Sequence, residues 1–149
     1  MHALIAKAAG WHEWIWNLRY TTLRAEIELA SGDFDGALAL LVEVIQQEPR
    51  RQRVKYQIRG LLLRARARIE LGQRDDARTD LEEVLRLAGS TGNQPLWLQA
   101  AALSLGLEQD AVLQAQARSI ADAVSTALGK LPARAAFEQT ELVCRIRGT

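Results

Sequence analysis

The sequence predicts an all-α fold of stacked helix pairs, and three observations carry that expectation. The first is an internal repeat. The segment Leu23–Val44, LRAEIELASGDFDGALALLVEV, returns forty residues later as Leu63–Val84, LRARARIELGQRDDARTDLEEV. Leu23, Arg24, Ala25, Gly32, Asp35, Ala37, Leu41, Glu43 and Val44 all have an identical residue at the equivalent position of the second copy. Agreement at a fixed period marks a solenoid, in which each unit buries its apolar face on its neighbours. The second is periodicity: apolar residues recur at helical spacing, and β-branched residues never alternate over a strand-length run. The third is composition. With 48% apolar, 25% charged and 5% aromatic residues, the chain suits an ordered, mostly helical protein. A length of 149 residues is that of one domain able to bury a core.

Taken in order, the chain begins with a short helix-prone stretch, His2 to Ala9, ended by Gly10. Eight residues make a poor independent helix, so residues 1–10 read as a remnant of a preceding helix or a frayed turn. Residues 11–49 form the first repeat. Trp11 to Ser31 is a long helix with Trp14, Ile15, Leu18, Leu23, Ile27 and Leu29 on a broad apolar stripe. Gly32-Asp33 breaks it, and Asp33 caps a second helix, Phe34 to about Gln47, that buries Ala37, Leu38, Leu41, Val44 and Ile45. Pro49 closes the unit.

Residues 50–93 form the second repeat. Arg50 to Leu71 is a helix with Leu61, Leu62, Ala65 and Ile69 inward. Gly60 inside it costs about 1 kcal/mol relative to Ala unless a neighbouring helix needs the close approach. Gly72-Gln73 turns the chain, Arg74 to Leu87 is the partner helix, and Gly89 to Asn93 is a loop. Pro95 is well placed to open the next helix. Residues 94–129 form a looser third repeat: Gln94 to Leu105, a turn at Gly106 in the role of Gly32 and Gly72, and Glu108 to Leu128. Gly129 stops that helix. Pro132 opens a single closing helix to about Arg147, making 130–149 the cap of the stack through Ala136, Phe137, Thr140, Leu142 and Val143.

The order of a small residue, Gly seven later, Ala five further on and a large apolar four beyond resembles the tetratricopeptide repeat. It is read here as Ala25, Gly32, Ala37 and Leu41, and again as Ala65, Gly72, Ala77 and Leu81. The family's usual aromatic in the first helix is replaced by Glu28 and Arg68, and forty residues is a long repeat. The chain is similar to the long-repeat, maltose-regulator-like variety found at the C-terminal ends of bacterial multidomain regulators. Those are transcription activators and signalling proteins with a nucleotide-cyclase or NTPase domain upstream. WHEWIWNLRYTTLRAEIELASGD resembles a late repeat of such tails, and LPARAAFEQTELVCRI their closing helix. The resemblance implies a right-handed α-solenoid of about three helix pairs plus a C-terminal capping helix. It also implies a concave face carrying Arg19, Thr22, Glu26, Arg59, Leu62, Arg66 and Glu70, and a partner that is a protein, a peptide or upstream domains of the same polypeptide.

The residues leave other readings to weigh. Net charge is +1, yet residues 50–68 hold eight basic residues and no acidic one. Arginines there could grip phosphate or carboxylate, or form a solvated face paired with Asp75, Asp76, Glu82 and Glu83. Tyr56 alone is available for base stacking, which argues against single-stranded nucleic acid. A small ligand in the superhelical groove is a third possibility. Trp11 and Trp16 read as an exposed aromatic surface between repeats, open to self-association.

No catalytic constellation and no cofactor motif is legible. His2, His12 and Glu13 lack the spacing of a metal site. Cys144, the one cysteine, reads as a structural thiol. Asp33, Asp35, Asp75 and Asp76 are explained by capping and turn chemistry. The glycines are not followed by the Gly-Lys-Ser/Thr of a phosphate loop. No apolar run approaches membrane length, and the start lacks a signal-peptide pattern. The expectation is a cytoplasmic, non-enzymatic binding module.

Overall fold

The computed structural model describes residues 13–47 and 54–148. These residues form eight helices and, among them, no strand. They are α1 (Glu13–Ser31), α2 (Phe34–Gln47), α3 (Val54–Glu70), α4 (Arg74–Ser90), α5 (Gln94–Leu107), α6 (Ala111–Leu128), α7 (Pro132–Glu138) and α8 (Glu141–Arg147). The fold is all-α, of the helical-repeat class. Two compact units divide it, Met1–Gln73 and Arg74–Thr149. The expectations placed on His2–Ala9, Trp11, His12, Pro49, Arg50, Arg51 and Arg53 lie outside the described residues.

In the first unit α1 packs on α2, and α2 on α3. The turn between α1 and α2 explains why the repeat keeps its glycine. Gly32 takes φ +86°, a left-handed conformation that costs a residue with Cβ roughly 1–2 kcal/mol. There the Gly32 N–H bonds back to Leu29 O at 3.2 Å and the Asp33 N–H to Glu28 O at 2.9 Å, closing the helix end. Gly72 repeats the geometry at φ +74°, with Gln73 N–H bonded to Arg68 O at 2.8 Å. Asp33 then caps α2 as its spacing predicts, its Oδ1 accepting from Gly36 N–H at 2.9 Å.

The recurring Ala residues and Leu41 lie where the chain is buried. Ala25, Ala37 and Leu41 are fully buried, as are Ala65, Ala77 and Leu81 at the equivalent positions. Ala25, Leu41 and Leu63 form one cluster, with Leu29, Leu40 and Ile45 packed around it. Gly60 answers the condition set by the sequence. A Cβ there would stand 3.1 Å from both Val44 Cγ1 and Ile45 Cγ1, so α2 and α3 approach closely across this position and a side chain there would press on both.

Two expectations for this unit are corrected. Leu23 and Ile27 do not belong to the buried stripe of α1; they are 54% and 57% exposed. At about 100° per residue they lie opposite Leu18, Ala25 and Leu29, and α2 covers that other side. Trp14's side chain lies outside the described residues.

In the second unit α4 packs on α5, and α5 on both α6 and α8. α4 runs three residues further than its spacing predicts, ending at Ser90, and the chain turns at Gly92. Gly106 is not a turn: it sits inside α5, and the chain turns at Glu108–Asp110. Asp110 explains the shift. Its carboxylate caps α6, accepting from Val112 N–H at 2.9 Å and Leu113 N–H at 3.0 Å, so the turn forms where the cap is. Asn93 caps α5 through Leu96 N–H at 3.4 Å, with Pro95 in its first turn.

The single closing helix is also corrected. The chain breaks at Gln139–Thr140 into α7 and α8, because Thr140 is extended and its Oγ1 accepts from Val143 N–H at 3.4 Å, starting a new helix. α7 buries no residue, whereas α8 buries Val143 and Ile146 completely. The cap is therefore α8 alone, and Ala136 in α7 is exposed. Ala117, Ala121 and Ser125 give α6 a buried stripe of small residues. Arg118 and Gln114 of α6 hold the C-terminal carbonyls of α8: Arg118 donates to Ile146 O at 3.2 Å and Arg147 O at 2.7 Å, and Gln114 to Ile146 O at 3.2 Å. A cation at a helix C-terminus is favourable.

Replacing Gly60 by Val tests the α2–α3 contact. Overpacking at a site bounded by the buried, β-branched Val44 should cost about 1–3 kcal/mol, whereas in a Gly60→Ala control about 1 kcal/mol of helix propensity offsets the pressure of a single Cβ on Val44 and Ile45. Urea denaturation should show Gly60→Val as the less stable of the two variants. Equal midpoints would show that α2 and α3 have room to spare.

Candidate functional site

α1 and α3 run side by side across the first unit and leave a groove between them. Two depressions open along it, both open to solvent on one side. The first, of about 420 Å³, is lined by Trp16, Arg19, Tyr20, Thr22, Leu23 and Glu26 of α1 and by Tyr56 and Arg59 of α3. The second, of about 410 Å³, is lined by Glu26, Leu29, Ala30, Leu63, Arg66 and Glu70, with Phe34 at its end. Glu26 belongs to both. Arg59 donates to Glu26 Oε1 from Nε at 2.8 Å and from Nη2 at 2.5 Å, an ion pair that ties α1 to α3 and divides the groove.

Of the seven residues assigned to the partner face from the sequence, five reach the groove with exposed or half-exposed side chains: Arg19, Glu26, Arg59, Arg66 and Glu70. The other two lie deeper. Thr22 touches the floor of the first depression but is only 5% exposed, its Oγ1 donating to Leu18 O at 2.7 Å. Leu62 is 3% exposed and packs in the interior. Repeat register places a residue on a face without saying how far into it neighbouring helices press, so it does not give the depth of these two. Trp16 is 54% exposed, and Trp11 lies outside the described residues.

Tyr20, Leu23, Tyr56, Leu29, Phe34 and Leu63 also line the groove. Helical spacing carried the signal for Tyr20 and Leu23, four and seven residues after Trp16. Phe34 and Leu63 carried none, because their alignment with the groove depends on how the helices pack.

The charges differ in kind between the units. In the second, five arginines meet carboxylates: Arg86 with Glu83, Arg134 with Glu138, Arg145 with Glu141, Arg147 with Asp122, and Arg78 with Asp75 and Glu108, while Arg74 and Arg118 donate to backbone carbonyls. The Arg86 hydrogen bond holds the Glu83 carboxyl below its usual range, so the small stability it adds is present at neutral pH and lost on acidification. In the first unit Arg19, Arg24 and Arg66 have no carboxylate partner among the described residues. Arg19 instead lies over the Trp16 ring, Cζ 5.7 Å from its centroid, and Arg24 beside Tyr20 at 6.0 Å. Such cation–π contacts hold a guanidinium in place while leaving its N–H edge available.

Three of the described basic residues between Arg50 and Arg68 are engaged. Arg59 is engaged by Glu26, and Arg64 and Arg68 also have interaction partners. Cys144 is half-buried, within 4.0 Å of Glu138 O. No described helix is long and apolar enough to cross a membrane.

A family model described as the tetratricopeptide repeat matches residues 28–102, half of the 149-residue chain. No curated protein and no solved structure matches the chain.

The Glu26–Arg59 pair should contribute little to stability, since its side chains are 29% and 51% exposed. A double-mutant cycle on Glu26→Ala and Arg59→Ala should give a coupling of about 0.2–1 kcal/mol that shrinks as salt is raised. A coupling well above that would mean the groove is drier than its exposure indicates.

Proposed function

The chain belongs to the tetratricopeptide repeat family, whose repeats are protein-interaction scaffolds, and from that membership we propose that it is a non-enzymatic module that receives a peptide or protein segment in the α1–α3 groove. The observation that carries this reading is the lining of that groove. Aromatic and apolar surface from Trp16, Tyr20, Leu23 and Tyr56 alternates with Arg19, Arg66 and Glu70, all held on rigid helices. Apolar anchors with flanking charges suit a polypeptide whose side chains enter successive depressions. The two depressions, each open on one side, admit side chains of an extended or helical segment.

The finer context is that of the long-repeat, maltose-regulator-like type: the C-terminal repeat segment of a bacterial multidomain regulator of signalling or transcription, working in the cytoplasm. The forty-residue period and the closing segment LPARAAFEQTELVCRI support it. In that setting the groove would receive either a partner protein or upstream domains of the same polypeptide. Nucleic acid fits less well, because Arg59 is engaged by Glu26 and Arg64 and Arg68 have partners of their own.

Peptides selected on the purified protein from a displayed random library test the groove. Their affinity should fall at least about tenfold, or 1.4 kcal/mol, on replacing Tyr56 by Ser and Arg66 by Glu, two side chains that line the groove without forming its core. Selected peptides indifferent to both changes would remove the groove as the receiving surface. A 20-nucleotide duplex or single strand should not compete at physiological salt; competition that weakens steeply with salt would favour phosphate recognition instead.

A further inference from the structure

The free charges of the α1–α3 groove form an ordered set. Glu26 and Arg59 neutralise each other at its middle. Arg19 in the first depression, and Arg66 and Glu70 in the second, meet no opposite charge among the described residues. Arg19 is held instead over the Trp16 ring. Arg66 and Glu70 stand four residues apart on α3 and are both exposed, yet they do not pair; a cation N-terminal to an anion is the weaker order at this spacing. Along the groove the free charge is therefore positive at Arg19, positive at Arg66 and negative at Glu70. Glu70 is also the last residue of α3, the end at which the helix macrodipole adds to the attraction for a cation.

The positions of these charges fix a spacing. α1 and α3 run in the same direction, since residue numbers rise on both from the first depression to the second. Arg59 is the repeat equivalent of Arg19 and lines the same depression, so it marks the level of Arg19 on α3. Arg66 lies about 10 Å beyond Arg59 along the helix, and Glu70 about 6 Å further. An extended chain covers those distances in about three and about two residues. Parity agrees with the walls. Arg19 belongs to α1, whereas Arg66 and Glu70 belong to α3. Side chains of an extended segment alternate between opposite sides, so a residue facing α1 is followed three and five positions later by residues facing α3. A helical segment presents a single stripe to the groove and does not alternate between its walls.

We propose that the groove receives an extended, net acidic polypeptide segment, with an acidic residue at Arg19, a second three positions along at Arg66, and a basic residue two further at Glu70. Its intervening residues are apolar, to match Tyr20, Leu23, Leu29 and Leu63 on the walls. The proposal rests on reading this groove as the receiving surface and adds the order of charge that selects its occupant. A phosphate chain or a uniformly acidic peptide sets an anion against Glu70, and like charges so placed oppose binding.

Two end-blocked, fluorescein-labelled synthetic peptides test the order. Both have Leu at the intervening positions and charged residues at the first, fourth and sixth. One carries Asp, Asp and Lys there, the other Asp, Lys and Asp. Composition and net charge are the same, and the second peptide sets Asp against Glu70 in either chain direction. Fluorescence anisotropy should show the Asp-Asp-Lys peptide binding at least about tenfold more tightly. Arg66→Glu together with Glu70→Arg should reverse that preference, with unchanged helical circular dichroism because both side chains are exposed. Arg24→Glu, a change at a residue lining neither depression, should leave the preference as it is. The proposal is overturned if the Asp-Asp-Lys peptide does not bind, if both peptides bind alike, if the double variant keeps the original preference, or if Arg24→Glu removes it. Peptides selected from the displayed library separate the two readings. If these bind and respond to Tyr56→Ser while neither synthetic peptide binds, the charge order alone fails. If no selected peptide responds to changes in the groove, the groove reading fails with it.

Discussion

The structure depends on helices meeting where side chains are smallest. Ala25, Ala37, Ala65 and Ala77 have no exposed surface, and Gly60 has Val44 and Ile45 at contact distance from where its Cβ would be. A small residue at a crossing lets two helices come close enough for Leu41 to reach Leu63 across the α2–α3 contact. Interiors are packed at near-crystalline density, so an added methylene at such a crossing displaces neighbours rather than filling slack. That spacing is set by Ala and Gly and then filled by Leu, Val and Ile, and the groove between α1 and α3 is what remains outside it.

The turns serve the same constraint. α1 and α2 can pack only if the chain reverses within two or three residues, and Gly32 does so by adopting a conformation that other residues reach at a cost; Gly72 takes the same conformation after α3. The hydrogen bonds they make satisfy the last carbonyls of α1 and α3. In the second unit a different residue carries out the reversal after α5. Asp110 supplies two cap bonds, and no left-handed glycine is needed.

Function follows from what the packing leaves outside. α1 has α2 on one side, and its own Trp16, Tyr20, Leu23 and Ile27 on the other. Arg19 and Arg24 lie over or beside the aromatic rings, so their charge is positioned without being neutralised. In the second unit Arg78, Arg86 and Arg147 are joined to neighbouring carboxylates. Among the described residues, exposed apolar surface and arginines without a carboxylate partner coincide in the first unit.

Much of this was legible in the residues themselves. The repeated Ala, Gly and Leu positions determined the helix pairs, the turns at Gly32 and Gly72 and the buried side of α2, because helical spacing and left-handed turns are local properties. The face carrying Arg19, Glu26, Arg59, Arg66 and Glu70 was legible too, since residues three and four apart share a side of a helix. Only the tertiary structure decided depth and cover. Thr22 and Leu62 share the face of their neighbours yet are buried, and Leu23 and Ile27 are as apolar as Leu18 yet exposed. The break at Thr140 and the displaced turn at Asp110 had the same origin, a competition between caps that spacing does not rank. A pattern states which residues look the same way; which of those directions is solvent depends on where the next helix lies.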